Sequence, residues 1–214
     1  MMTLAAAELA SGLLEKGAVK LSPSAPFTWS SGLRAPIYCD NRQLLGDVAL
    51  RARIADALAE AAAPFKPSLV AGTSTAGIPW GALVADRLQL PFAYVRPEPK
   101  KHGMGRQVEG PSAKGQRVVL IEDLISTGGS SLKCVEALKA EGAEVGAVLA
   151  LFSYGLPAAL DAFNAAGTRL ITLATFEALV AEAQRRDRVD AAGAESLKAW
   201  QRDALAWSKA HDES

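Results

Sequence analysis

Through the middle of the chain, short unbroken apolar runs alternate with stretches in which apolar residues recur every three or four positions. The runs SLVAG (68–72), PFAYV (91–95), QRVVLIE (116–122), EVGAVLALF (144–152) and TRLITLA (168–174) read as strands. The stretches GIPWGALVADRLQ (77–89), SSLKCVEALKAEG (130–142) and AALDAFNAAG (158–167) read as helices. The strand runs are apolar at successive positions instead of alternating, so both of their faces are expected to be covered. Strands and helices in regular alternation predict an α/β fold, an open and mostly parallel sheet with helices on both faces.

The flanks follow other rhythms. Thr3 to Lys16 predicts an amphipathic helix, with Thr3 as cap and Gly17 as stop. AVKLSPSAPFTWSSGLRAPIYCD (18–40) alternates β-like pieces with Pro and Gly, which suggests a small irregular β region lying over something else. DVALRARIADALAEAA (47–62) predicts a helix. KKHGMGRQVEGPSAKG (100–115) has no apolar period and reads as a long exposed loop. The tail from Phe176 to Trp207 is helix-forming, with RRDRVD (185–190) expected to be solvated helix surface and His211 to lie in a frayed end. There is no internal repeat or low-complexity linker, so residues 1–214 are expected to form one domain, with residues 1–45 or so as an appendage.

Composition narrows the class. Half of the 214 residues are apolar, enough for a full core, and 23 Lys plus Arg balance 23 Asp plus Glu. That balance argues against bulk nucleic-acid binding, which brings a basic excess. Cys39 and Cys134 are isolated, without metal-ligand spacing or a nearby base; they read as packing residues in a reducing compartment. The N-terminal stretch lacks a basic leader region, and no apolar run is long enough to cross a bilayer. A soluble, cytoplasmic protein is expected.

The chemistry concentrates in VVLIEDLISTGGSS (118–131), where Glu122 and Asp123 follow a buried run and precede a turn of hydroxyls and glycines that opens a helix. In open parallel sheets, ligands bind beyond the carboxyl ends of strands. A helix N-terminus favours phosphate. Ser126, Thr127, Gly128, Gly129 and Ser130 suit such a group, whereas carboxylates repel it and are better matched to sugar hydroxyls or a cation. Neither G-x-G-x-x-G nor a Walker A loop is present. A sugar phosphate fits; the plainer alternative is that the carboxylates only cap the turn.

VVLIEDLISTGG resembles the phosphoribosyl-diphosphate-binding signature of the type I phosphoribosyltransferases. The resemblance implies that Glu122 and Asp123 hold the ribose hydroxyls. It implies too that Leu124, Ile125, Ser126, Thr127, Gly128, Gly129 and Ser130 complete the site, the turn cradling the 5-phosphate. YVRPEPKKHGMGRQVEG (94–110) is either a solvated basic loop or a lid for an anion. It resembles the catalytic loop of the orotate-specific members, in which Arg96, Lys100 and His102 match residues that contact the diphosphate. That loop reaches into the neighbouring subunit's site in the family, so a homodimer is implied.

FTWSSGLRAPIYCDNR (27–42) resembles the segment that forms a hood over the base, although Phe27, Trp29 and Tyr38 also suit a plain surface hairpin. VAGTSTAGIP (70–79) resembles the diphosphate loop, whose small residues let backbone amides face the ligand. Ser30 and Pro97 stand where many members have a basic residue, and SYGLP (153–157) stands where some have an Arg for the orotate carboxylate. Arg34 or Arg42 is the expected replacement, with Ser126 also touching the base. The implied reaction joins orotate to phosphoribosyl diphosphate, giving orotidine 5′-monophosphate and diphosphate in UMP biosynthesis. Lys100, His102 and Asp123 would be catalytic. Mg2+ would be held mainly by substrate oxygens and water rather than by protein ligands. A purine-specific enzyme with the same ribose turn is one rival; a non-enzymatic regulator that senses phosphoribosyl diphosphate is another.

Overall fold

A computed structural model describes residues 4–29, 31–96, 98 and 107–211. The chain opens with helix α1 (Ala6–Glu15) and four short strands, β1 (Val19–Leu21), β2 (Phe27–Thr28), β3 (Arg34–Ala35) and β4 (Ile37–Cys39). After a 3-10 turn (Asn41–Gly46) come α2 (Val48–Ala62), β5 (Leu69–Thr73), α3 (Gly77–Leu88), β6 (Phe92–Val95) and β7 (Val108–Glu109). Then follow β8 (Arg117–Ile125), α4 (Gly129–Ala140), β9 (Glu144–Ser153), α5 (Pro157–Ala165) and β10 (Leu170–Thr175). Three helices close the chain, α6 (Phe176–Arg185), α7 (Ala191–Arg202) and α8 (Ala204–Ala210).

The central sheet has six strands in the order β10-β9-β8-β5-β6-β7. Every pair is parallel except β6–β7. β1 pairs with β4 and β2 with β3 as separate antiparallel ribbons. From β5 the chain runs outward to β6, then crosses to the other side for β8, β9 and β10. The reversal falls between β5 and β8, and such a switch point leaves a crevice beyond the carboxyl ends of the two strands.

Strand alternation sorts the interior into two layers. On β8, Val119 and Ile121 face one core with α1, α2, α3, α6 and α7, while Val118 and Leu120 face the other with α4 and α5. All four are buried, which is why the run carries no polar period. Aspartate and threonine caps set several helix starts. Asp47 Oδ1 accepts Leu50 N–H at 2.9 Å, Thr175 Oγ1 accepts Ala178 N–H at 3.3 Å, and Asp190 Oδ1 accepts Gly193 N–H at 2.7 Å.

Several expectations need correction. α1 begins after Ala5, which offers no side-chain cap, and Thr3 lies outside the described residues. The stretch read as loop through 115 contains edge strand β7, whose Val108 is buried against β6. Two residues are too few to display a period. RRDRVD is not merely solvated. Arg185 and Arg186 both bind the buried Glu182, and Arg186 reaches back to Glu15 and Ser11 on α1. Hydrogen bonds from Arg185 and then Arg186 hold the Glu182 carboxyl down at about 2. His211 is not frayed, since its ring stacks on Trp207 at 3.6 Å. Among the described residues, no helix is long and apolar enough to cross a membrane.

Candidate active site

β8 runs to Ile125, three residues beyond the predicted strand, so Asp123 as well as Glu122 lies within the strand. Glu122 is buried, and both of its carboxylate oxygens accept hydrogen bonds. Its Oε1 accepts the Thr73 hydroxyl at 2.6 Å and the Asp123 N–H at 3.0 Å; its Oε2 accepts the Ser131 hydroxyl at 2.8 Å. Glu122 therefore ties β5, β8 and α4 together at the switch point. Asp123 is half-buried beside it, and its carbonyl accepts Nδ2 of the buried Asn41 at 2.6 Å. Burial, then the adjacent Glu122 charge, push the Asp123 carboxyl well above its ordinary range.

The turn after β8 is shaped by Gly128, which has φ +79° and caps α4 without any side-chain bond to the first-turn amides. A Cβ there would also stand 2.7 Å from the Phe163 ring. The uncapped N–H groups of α4 face the turn, a setting that favours an anion. Ser126 is half-buried, and Thr127, Gly129 and Ser130 are exposed. Ile125 turns its side chain into the core layer beneath α4, so its side chain is not part of this rim.

The glycines on either side of the loop after β5 are required by packing. A Cβ on Gly72 would lie 2.6 Å from the Gly77 carbonyl, and one on Gly81 would lie 2.6 Å from the Phe92 ring. The Ser74–Thr75 peptide is cis, and the Ser74 N–H donates to the Val95 carbonyl at 2.8 Å, so that amide does not face a ligand.

Two cavities meet at Leu124. The smaller, about 220 Å³, is polar and is walled by Thr73–Ala76, Glu122, Asp123 and Ser130. The larger, about 540 Å³, lies between the N-terminal ribbons and the turn, walled by Trp29, Tyr38, Ser126, Thr127 and Tyr154 among others. Trp29 stacks on Tyr154 at 5.4 Å, and Trp200 of α7 meets both rings edge-on at 5.7 and 5.3 Å. α8 supports the same wall, its Ser208 hydroxyl accepting the Arg34 N–H at 2.9 Å.

Neither candidate arginine is among the residues walling these cavities. Arg42 is exposed and paired with Asp40 at 2.6 Å. Arg34 donates to Thr28, a residue of the larger cavity, at 3.1 Å, and its buried Nε has no partner among the described residues. Arg96 directly follows β6, where its backbone and Gln107 exchange hydrogen bonds of 3.0 Å that join the two ends of the basic segment. Lys100 and His102 lie outside the described residues. Cys39 and Cys134 are free thiols; Cys39 donates to Asn41 Oδ1 at 3.1 Å, and burial pushes the Cys134 thiol up to about 12. Among the described residues, no cluster of three or more His, Cys, Asp or Glu side chains is placed to hold a metal.

Sequence reasoning missed Thr73, Ser131 and Asn41, whose partners lie 49, 9 and 82 residues away. It also left the C-terminal helices without a role. Only the tryptophan content of that tail hinted at a buried surface.

A sheet switch point with an acid pair, a phosphate-type turn and a flanking aromatic cleft defines a nucleotide-forming or nucleotide-binding α/β protein, and residues 44–174 match the phosphoribosyl transferase domain. The chain belongs to the phosphoribosyl transferase family, and within it to the orotate phosphoribosyltransferases. It is 49% identical over 204 residues to the orotate phosphoribosyltransferase of Listeria monocytogenes, covering 94% of this chain and 98% of that one. It is 47% identical over 210 residues to that of Streptococcus pneumoniae, covering 97% and 100%. The crystal structure of orotate phosphoribosyltransferase from Aeropyrum pernix superimposes with a TM-score of 0.73 at 38% identity, covering 85% of this chain and 99% of that one.

Proposed function

We propose that the protein transfers the 5-phosphoribosyl group from phosphoribosyl diphosphate to orotate, releasing diphosphate and giving orotidine 5′-monophosphate in de novo pyrimidine biosynthesis. The observation that carries the reading is the pair of cavities that share Leu124 in their walls, one polar and one aromatic, with Ser126 and Thr127 of the turn on the aromatic one and Ser130 on the polar one. The polar cavity suits a ribose and its diphosphate, and the aromatic cleft suits a planar base.

In this reading Asp123 accepts the ribose hydroxyls, while Glu122 holds Asp123 and the β5 loop in register. The turn from Ser126 to Ser130 binds the 5-phosphate through hydroxyls and the first amides of α4. Thr75 and Ala76 border the diphosphate, and Ser126 also borders the base. Arg96, Lys100 and His102 stabilise the departing negative charge, the largest contribution expected of such a site. The segment carrying Lys100 and His102 reaches the site of a second subunit, so the working unit is a homodimer. The N-terminal ribbons act as a hood that excludes water from the reacting carbon. Arg34 is preferred over Arg42 as partner of the orotate carboxylate, because its Nε has no partner among the described residues whereas Arg42 is bound to Asp40.

Phosphoribosyl diphosphate carries Mg2+ in this family, where the cation offsets the diphosphate charge. With Glu122 already accepting three hydrogen bonds, Asp123 is the carboxylate that fits beside such a cation's water shell. A cytoplasmic setting suits this chemistry. The test is a spectroscopic assay of orotate consumption with phosphoribosyl diphosphate and Mg2+, with adenine, hypoxanthine and uracil as competing bases. Orotate is expected to be consumed and the others not; preferential consumption of a purine would overturn the reading.

A further inference from the structure

The aromatic cavity is bordered by one largely buried side chain whose polar group makes no hydrogen bond among the described residues. Tyr154 is 2% exposed, yet it borders the cavity. Its ring is fixed on three sides, stacked on Trp29 at 5.4 Å and met edge-on by Phe152 at 5.6 Å and Trp200 at 5.3 Å. Its backbone is fixed too. The N–H donates to the Ile125 carbonyl at 3.1 Å, one residue before the glycine turn, and the carbonyl accepts Gln201 Nε2 at 2.9 Å. Of the polar groups of Tyr154, the hydroxyl alone has no partner among the described residues.

The other inner groups of this wall are already used. Trp29 Nε1 donates to the Ile37 carbonyl at 3.0 Å, and the Cys39 thiol donates to Asn41. A hydroxyl that borders an open cavity with no bond to any described residue is available to a ligand acceptor, and a base seated there without one would bury it unpaired. Burial, followed by the nearby Cys39, Asp123 and Tyr38 groups, raises the hydroxyl well above its ordinary range, so it stays a donor throughout the working pH range.

We propose that the Tyr154 hydroxyl is a specificity-determining donor to an acceptor atom of the incoming base, presented by an aromatic wall built from the hood, β9 and the C-terminal helices. This rests on the reading of the base as orotate. A base with acceptor oxygens on its rim completes the hydroxyl; one that presents only hydrogen or a donor there leaves it unpaired and is rejected.

Tyr154→Phe removes one oxygen and leaves the ring stack intact. Steady-state kinetics of wild type and variant would be run side by side, varying orotate and phosphoribosyl diphosphate separately, with thermal melts of both proteins. The expected result is an orotate KM raised about tenfold, an unchanged KM for phosphoribosyl diphosphate and a Tm within a few degrees of wild type. An orotate KM within twofold of wild type would overturn the proposal, and so would a parallel rise in both KM values with a lowered Tm, which marks a structural role. A wild type that consumes no orotate would bring down the functional reading and this inference together.

Discussion

The two halves of the site are built in opposite ways. The ribose–phosphate half is contiguous: nine residues from Glu122 to Ser130 supply the acid pair and the turn, and only Thr73 and Ser131 are needed to lock Glu122. The base half is assembled from distant parts, with Trp29 of the N-terminal ribbons, Tyr154 after β9 and Trp200 of α7 meeting in one aromatic cluster. The first half depends on hydrogen bonds around a sheet switch point. The second depends on packing between the two ends of the chain. Substitutions should therefore separate binding of phosphoribosyl diphosphate from binding of the base.

The largest expected effect is on the packed half. Trp200 is buried against Trp29, Tyr154 and Phe176, so Trp200→Ala should lower stability by about 3–5 kcal/mol, read from denaturant unfolding. The orotate KM should rise more than that for phosphoribosyl diphosphate; equal rises would erase the distinction between the halves. Next, Lys100→Ala should reduce kcat about 100-fold or more, as loss of a charge-stabilising donor does, with the melting temperature unchanged. Glu122→Gln replaces an acceptor of three bonds by a group with one acceptor and one donor. It should destabilise the fold by about 1–3 kcal/mol and weaken phosphoribosyl diphosphate more than orotate, as measured by unfolding and initial rates.

A smaller effect sharpens the role of Asp123. Because its carboxyl is raised in the folded state, the folded protein keeps that proton to higher pH than the unfolded chain does. The stability it contributes is complete below the ordinary carboxylate range and is lost as pH rises through the raised folded value. Asp123→Asn does not titrate, so its Tm should exceed that of wild type at pH 8 by on the order of a few degrees, and this gain should shrink towards pH 4. The same variant should turn over poorly at every pH. The smallest effect is Arg42→Ala, which breaks only an exposed pair with Asp40; orotate KM should stay within about twofold, and stability within about 1 kcal/mol.

The contrast also explains what could be read from the chain alone. β5, β8 and β9 were legible because a parallel strand covered on both faces is apolar at every step, and the β8–α4 turn was legible because its chemistry is contiguous. β7 was not, since two residues carry no period. The capture of Glu122 by Thr73 and Ser131 was hidden because hydroxyl residues form such bonds in many contexts, and no spacing marks them. The roles of Trp200, Gln201 and Ser208 depend on how the C-terminal helices return over the hood, and nothing local in the tail encodes that return. Likewise RRDRVD looked solvated because two partners of Arg186, Glu15 and Ser11, lie on α1 at the other end of the chain.

The most direct test of the central claim is a crystal structure of the protein with phosphoribosyl diphosphate, Mg2+ and orotate bound. The account predicts the ribose diol within hydrogen-bonding distance of the Asp123 carboxylate, the 5-phosphate over the Ser126–Ser130 turn and the base against Trp29 and Tyr154. A pentose bound away from Asp123, or a base outside the aromatic cleft, would contradict it.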